Sequence, residues 1–273
     1  MLVTAHGGSD EWNQAVLDAV KPLRKDYRVE VAFGMADAST IQESVSRLEA
    51  AGVEEIGVVR LFISGESWYE RTQKILGLTR GAPAHGDTQS DHESHGGGGH
   101  HLPPFWRIDT QASFALSREG LGEADEMDQV LEERVRSLSH EPAKEDVLIL
   151  AHGPGDDQEN ERWIAEINQR TVRFRRDPGF RRIEVMTLRE DWPEKREEAE
   201  ERIRAFVTRA NEEGGEAIVV PFRVFGFGPY EEVLGGLEFS SNGKGLIPHV
   251  AVSQWLDRQA GSMRNGPFLE PVD

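Results

Sequence analysis

Short apolar runs that end in glycine-bearing turns alternate along this chain with longer segments of helical spacing. Leu2-Val3-Thr4-Ala5 is the first run, and Trp12, Val16, Ala19, Val20 and Leu23 then recur every three or four positions. Val29-Glu30-Val31-Ala32-Phe33 alternates as a strand does. A helix is predicted over roughly 38–51, ended by Gly52, and Ile56-Gly57-Val58-Val59 follows as a β-branched run of buried-strand type. The same order returns later. Leu148-Ile149-Leu150-Ala151 precedes helical spacing at Trp163, Ile164, Ile167 and Val172. Next come the strand pattern Ile183–Leu188, a helix over roughly 193–213 ended by Gly214-Gly215, and the run Ala217-Ile218-Val219-Val220.

The two halves share more than rhythm. Each first run ends in Ala-His-Gly, at residues 5–7 and 151–153, and acidic residues follow in both: Asp10 and Glu11, Asp156 and Asp157. Each half reads β-α-β-α-β-α, which predicts an α/β fold with a parallel sheet and helices on both faces. Two lobes are expected, residues 1–140 and 141–273. Ligands of such sheets bind at the carboxyl ends of the strands. His6 and His152 stand at the ends of first strands, and Ser64-Gly65-Glu66 and Gly226-Phe227-Gly228 follow third strands.

Residues 81–104 break the pattern. They carry five of the nine histidines amid Gly and Pro, and cannot supply a core. Phe105-Trp106-Arg107-Ile108 is then expected as a fourth strand of the first lobe, and a helix near 125–138 as the lead into the second. The tail from about 258 is expected to be loosely ordered.

Composition narrows the function. With 31 Lys and Arg against 49 Asp and Glu, the formal charge is −18, so nucleic acid and anionic lipid are poor partners. A polycarboxylate ligand would need a local basic patch. The absence of cysteine excludes disulfides, thiolate metal sites and Cys nucleophiles. No apolar run approaches the ~20 residues of a membrane span. No basic segment followed by an apolar one opens the chain, so a cytoplasmic location is expected, with an exported form lacking its signal also compatible. P-loop, Gly-x-Ser-x-Gly and His-Glu-x-x-His motifs are absent, and Gly226-Phe227-Gly228 is too short for a dinucleotide fingerprint, so no organic cofactor is expected.

His6 is the first candidate. It ends a buried strand, and Gly7 and Gly8 let a ligand approach the backbone. Its imidazole suits a borderline divalent metal, while a helix-capping or turn role is equally open. Glu66 is the second, as metal ligand or proton acceptor opposite His6, against the alternative of a solvated surface carboxylate. His85, His92, His95, His100 and His101 form either an accessory metal-capturing arm or an inert linker. His152 has Phe227 where Glu66 would be, so a second metal site is not expected there. Phe225 and Phe227 are either an apolar wall or core. His140 and His249 are expected at the surface.

Val3-Thr4-Ala5-His6-Gly7-Gly8-Ser9-Asp10, Val58-Val59-Arg60-Leu61-Phe62-Ile63-Ser64-Gly65 and Leu150-Ala151-His152-Gly153 resemble the sirohydrochlorin chelatase family, the two-domain class II chelatases of cobalamin and sirohaem synthesis. The resemblance covers roughly residues 1–80 and 105–257. It implies two flavodoxin-like halves facing a central cleft, and insertion of Co2+ or Fe2+ into a reduced, carboxylate-rich tetrapyrrole with loss of two protons. The divalent metal is then a substrate, and the chain a monomer or homodimer. The family's first histidine, a metal ligand and proton acceptor, falls on His6. Its second falls nearest Glu66, with Trp68 the other alignment. Catalytic and metal roles are thus expected for His6 and Glu66, and substrate contacts for Gly7, Gly8, Ser64, Gly65 and Arg60. Arg71 and Arg223 are further candidates to pair with substrate carboxylates. A non-catalytic metal or tetrapyrrole carrier, or a scaffold that keeps the fold, are the competing readings.

Overall fold

A computed structural model describes residues 1–86, 103–175 and 179–272. The chain divides into two compact units, Met1–Leu121 with Ser253–Asp273, and Gly122–Val252.

The first unit contains β1 (Leu2–Ala5), α1 (Asp10–Val20), β2 (Glu30–Phe33), α2 (Ala38–Ala50), β3 (Glu55–Leu61), α3 (Tyr69–Ile75) and β4 (Ser113–Leu116). Its strands pair in the order β2-β1-β3-β4, all parallel. Ala5 stands level with Phe33 on one side and Leu61 on the other, so β1, β2 and β3 end along one edge. Each residue of β1 is buried, as expected of a central parallel strand with both faces covered. Ser9 and Asp37 cap α1 and α2 by accepting from backbone N–H groups, at Trp12 and at Ser39 and Thr40. Leu2, Ile41, Val45, Leu48, Ile56, Val58, Ile75 and Phe114 join in the core of this unit.

The second unit contains α4 (Glu126–Arg136), β5 (Glu145–Ala151), α5 (Asp157–Arg170), α6 (Val172–Arg175), β6 (Arg182–Thr187), α7 (Pro193–Glu212), β7 (Glu216–Phe222) and α8 (Tyr230–Val233). Its strands pair in parallel as β6-β5-β7, the order that β2-β1-β3 has in the first. All seven residues of β5 are buried, two of them acidic. Glu145 accepts from Ser139 Oγ and from the N–H groups of His140 and Glu141, while Asp146 receives the guanidinium groups of Arg181 and Arg182. Those partners allow charge inside a strand that would otherwise exclude it.

Three expectations change. The fourth strand is Ser113–Leu116 and not 105–108. Phe105, Trp106 and Ile108 instead pack on the first core, and Ile108 N–H donates to the carbonyl of Ile75 at the end of α3. The units divide at Leu121 and Gly122, not at residue 140, because α4 lies beside β7 and α5. Arg170 of α5 pairs with Asp125 and Asp128 at the start of α4. The tail is ordered: α9 (Val250–Met263) returns from Ser253 onward to the first unit, where Trp255 is wholly buried and Leu269 exchanges backbone hydrogen bonds with Phe114.

Candidate functional site

His6 is the first residue beyond β1, on the edge where β3 also ends. Its Nδ1 lies 2.7 Å from the carbonyl oxygen of Gly7. A carbonyl only accepts, so Nδ1 is the donor in this contact. The Trp12 indole lies beside the imidazole, with ring centroids 5.4 Å apart. A Cβ at Gly8 would stand 3.0 Å from that indole, so this glycine lets Trp12 lie over the loop. Gly8 therefore also has a packing role.

Glu66 is exposed in the turn after β3. Its N–H donates to Ser64 Oγ at 3.0 Å, and its carbonyl accepts from Tyr69 N–H at 3.2 Å. Trp68, the other aligned position, has φ +58° and packs against the first core, so Glu66 is the more exposed of the two. Gly120 presses on this turn from the side: a Cβ there would lie 2.4 Å from the N of Gly65 and the C of Ser64.

Arg60 does not serve as a surface cation. It is 1% exposed, and its guanidinium donates to the carbonyls of Ser67 (2.6 Å), Gly65 (2.7 Å), Arg118 (3.1 Å) and Ser117 (3.2 Å). It fixes the Ser64–Ser67 turn from inside and has no edge to offer a substrate. Arg71 likewise donates to Ala36, Pro103 and Pro104 carbonyls, and burial holds its pKa below the ordinary value despite Asp37. Arg223 pairs with Glu190 beside Tyr230, whose burial raises its pKa.

The second Ala-His-Gly differs in chemistry. His152 Nδ1 lies 2.8 Å from the Gly153 carbonyl, and Nε2 lies 3.1 Å from an Asp191 carboxylate oxygen, with Glu190 at 3.9 Å. Both nitrogens therefore face oxygen acceptors. Burial opposes charge on this ring, but Asp191 and Glu190 outweigh it and its pKa is raised. The ring is thus held between the Gly153 carbonyl and the Asp191 carboxylate. The partners come from the turn after β6, for which no site residue was expected. The adjacent pair Glu190-Asp191 just past a strand was the available signal. Phe227 stacks on Phe239 and packs against the second core, so it belongs to the core. His140 is exposed as expected, whereas the His249 side chain is only 7% exposed and bonds Glu133 at 3.0 Å, contrary to expectation.

Of the loop histidines, His85 stacks on Trp106 at 4.7 Å, beside Asp109 at 3.8 Å. His92, His95, His100 and His101 lie outside the described residues. Among the described residues no group of three or more His, Asp and Glu side chains is disposed to hold a metal ion. Also among them, no helix is long and apolar enough to cross a membrane.

Two parallel α/β units with a histidine at the end of each first strand define a chelatase-like protein. SirB from Bacillus subtilis with Fe3+ superposes with TM-score 0.66 at 13% identity, covering 98% of both chains. SirB from Bacillus subtilis subspecies spizizenii, a sirohydrochlorin chelatase in complex with cobalt, gives 0.58 at 14% identity, over 98% of this chain and 97% of that one. A multi-domain protein of Deinococcus radiodurans, similar in structure to chelatases but with two additional domains, gives 0.57 at 19% identity. The present chain is covered in full and spans 57% of that protein's length. No curated protein matches the chain. The CbiX family model matches residues 1–138, and the chain belongs to that family.

Proposed function

We propose that this protein inserts a divalent metal, Co2+ or Fe2+, into sirohydrochlorin or a related reduced tetrapyrrole. The observation that carries the reading is the shared strand edge: the His6 imidazole ends β1, and the turn bearing Glu66 follows the adjacent parallel strand β3. In the reaction two pyrrole N–H bonds break, two protons leave, and the dication takes their place on the ring nitrogens. His6 Nε2 supplies a lone pair to the arriving ion. Glu66 supplies the second ligand, a carboxylate oxygen, or receives a pyrrole proton. A protein site of few ligands suits a metal that must be released to the ring, whose four nitrogens complete its coordination. Support also comes from CbiX family membership and from the cobalt and Fe3+ held by the two SirB structures.

The test is metallation of sirohydrochlorin by Co2+, followed by absorbance with and without protein. Acceleration above the uncatalysed rate is expected, abolished by His6→Ala and reduced at least tenfold by Glu66→Gln. Folded protein that gives no acceleration overturns the proposal. If calorimetry then finds metal or ring bound, the protein is a carrier.

A further inference from the structure

We propose that Arg118 is the cation that receives a peripheral carboxylate of the tetrapyrrole; the inference rests on the chelatase reading and assigns its substrate contact. Three observations meet at this residue. First, Arg118 is exposed and, among the described residues, has no carboxylate within ion-pair distance. Its neighbour Glu119 is already taken by Arg258 and Trp255. Second, the guanidinium lies over the Tyr69 ring, 5.5 Å from the centroid, the ring that also carries Arg60 at 4.7 Å. An aromatic platform under a guanidinium restrains its plane and leaves the N–H edge available for a two-point carboxylate bond.

Third, the position is fixed relative to the candidate site. One nitrogen of Arg60, Nη2, donates both to Gly65 O at 2.7 Å and to Arg118 O at 3.1 Å. The backbone of Arg118 is thus held within the reach of a single guanidinium from the residue preceding Glu66. Gly120, two residues on, is packed against Ser64 and Gly65. The chain that bears the cation and the turn that bears the carboxylate are one assembly, with buried Arg60 as its tie.

The chemistry asks for such a residue. At a formal charge of −18, the protein repels a polycarboxylate ring unless a cation stands at the rim. Arg60, Arg71 and Arg223 are committed to carbonyls or to Glu190 and do not fill that need. Arg118 does, and a carboxylate bound there would tether the macrocycle edge beside the Glu66 turn.

The test compares wild type, Arg118→Gln and Arg118→Lys for binding of metal-free sirohydrochlorin by fluorescence titration, for KM and kcat in cobalt metallation, and for Tm. At low salt, Arg118→Gln is expected to raise Kd and KM at least tenfold with Tm unmoved. Arg118→Lys should recover part of the loss, because it keeps the charge but not the fork. The wild-type Kd should rise with ionic strength more steeply than that of the Gln variant. Wild type that metallates, with an Arg118→Gln variant of unchanged Kd and KM, overturns the inference and leaves the chelatase reading intact. Ring binding that depends on Arg118 without metallation overturns the chelatase reading and supports the inference. Wild type that does not bind the ring overturns both.

Discussion

One tripeptide, Ala-His-Gly, recurs in this chain, and the two copies differ in the turns that their strand edges bring up. At His6 the Gly7 carbonyl takes the Nδ1 proton, and the neighbouring strand brings a turn with Glu66 to the same edge. At His152 the Gly153 carbonyl takes Nδ1–H, and Asp191 accepts from Nε2–H. The raised pKa of His152 makes this a stability term with a definite sign. The folded state binds the proton more tightly than the unfolded chain, whose histidine titrates near 6.5. The contribution is therefore complete below pH 6.5 and is lost as pH rises through the folded value. Denaturation of wild type and His152→Gln in parallel across pH 5–9 isolates it. The stability gap should be widest at the acid end and should close in alkali. A gap that is constant with pH would mean that His152 is held as the neutral ring.

At the scale of elements, the turn after β3 is held by parts far from it in sequence. Arg60 ties it from below and Gly120 meets it at van der Waals limits. Gly120→Ala places a methyl 2.4 Å from backbone atoms of Ser64 and Gly65, and backbone cannot swing aside as a side chain can. A loss of about 1–3 kcal/mol is expected from such overpacking, together with slower metallation because the Glu66 turn moves. Unchanged Tm and rate would mean that the turn gives way freely. This coupling also explains what could be read from sequence. Local periodicity placed β1, β2, β3, β5, β6 and β7 and the helices between them, because each is a buried strand or an amphipathic helix, with glycine stops at Gly52 and Gly214 after α2 and α7. It misplaced β4, since Phe105-Trp106-Arg107-Ile108 and Ala112-Ser113-Phe114-Ala115-Leu116 are both apolar runs. Only register with β3 decides between them. It named His6 and Glu66 as candidates from chain order, and it expected a substrate contact from Arg60. A buried guanidinium satisfied by four carbonyls leaves no signature in one dimension.

At the scale of the molecule, both ends of the chain serve the first unit, while the second is one continuous stretch, Gly122–Val252. The expected break at 140 assumed that a helix stays with the strand before it. Here α4 leaves β4 for the second sheet, and the residues from Ser253 come back to the first. The return is secured by Trp255, which is fully buried and donates from Nε1 to Glu119 at 3.1 Å, and by Arg258 on the same carboxylate. Burial opposes charge on Glu119, but the Arg258 and Trp255 bonds hold its pKa below the ordinary value. Met263 of the same helix lies against β3 at Gly57, where an added Cβ would come within 3.3 Å of it. Trp255→Ala should therefore cost about 3–5 kcal/mol, as removal of a buried indole does. The cost should fall mainly on the first unit, because Trp255 belongs to it and the second unit's cluster around Leu148, Leu150, Ile203, Phe206 and Val207 has no residue of α9. Hydrogen exchange by mass spectrometry resolves this. Protection should drop through residues 1–121 and 253–272 and persist through most of 122–252. Equal loss in both ranges would mean that the two units unfold as one, and that the returning helix stabilises the whole chain rather than the sheet that carries His6.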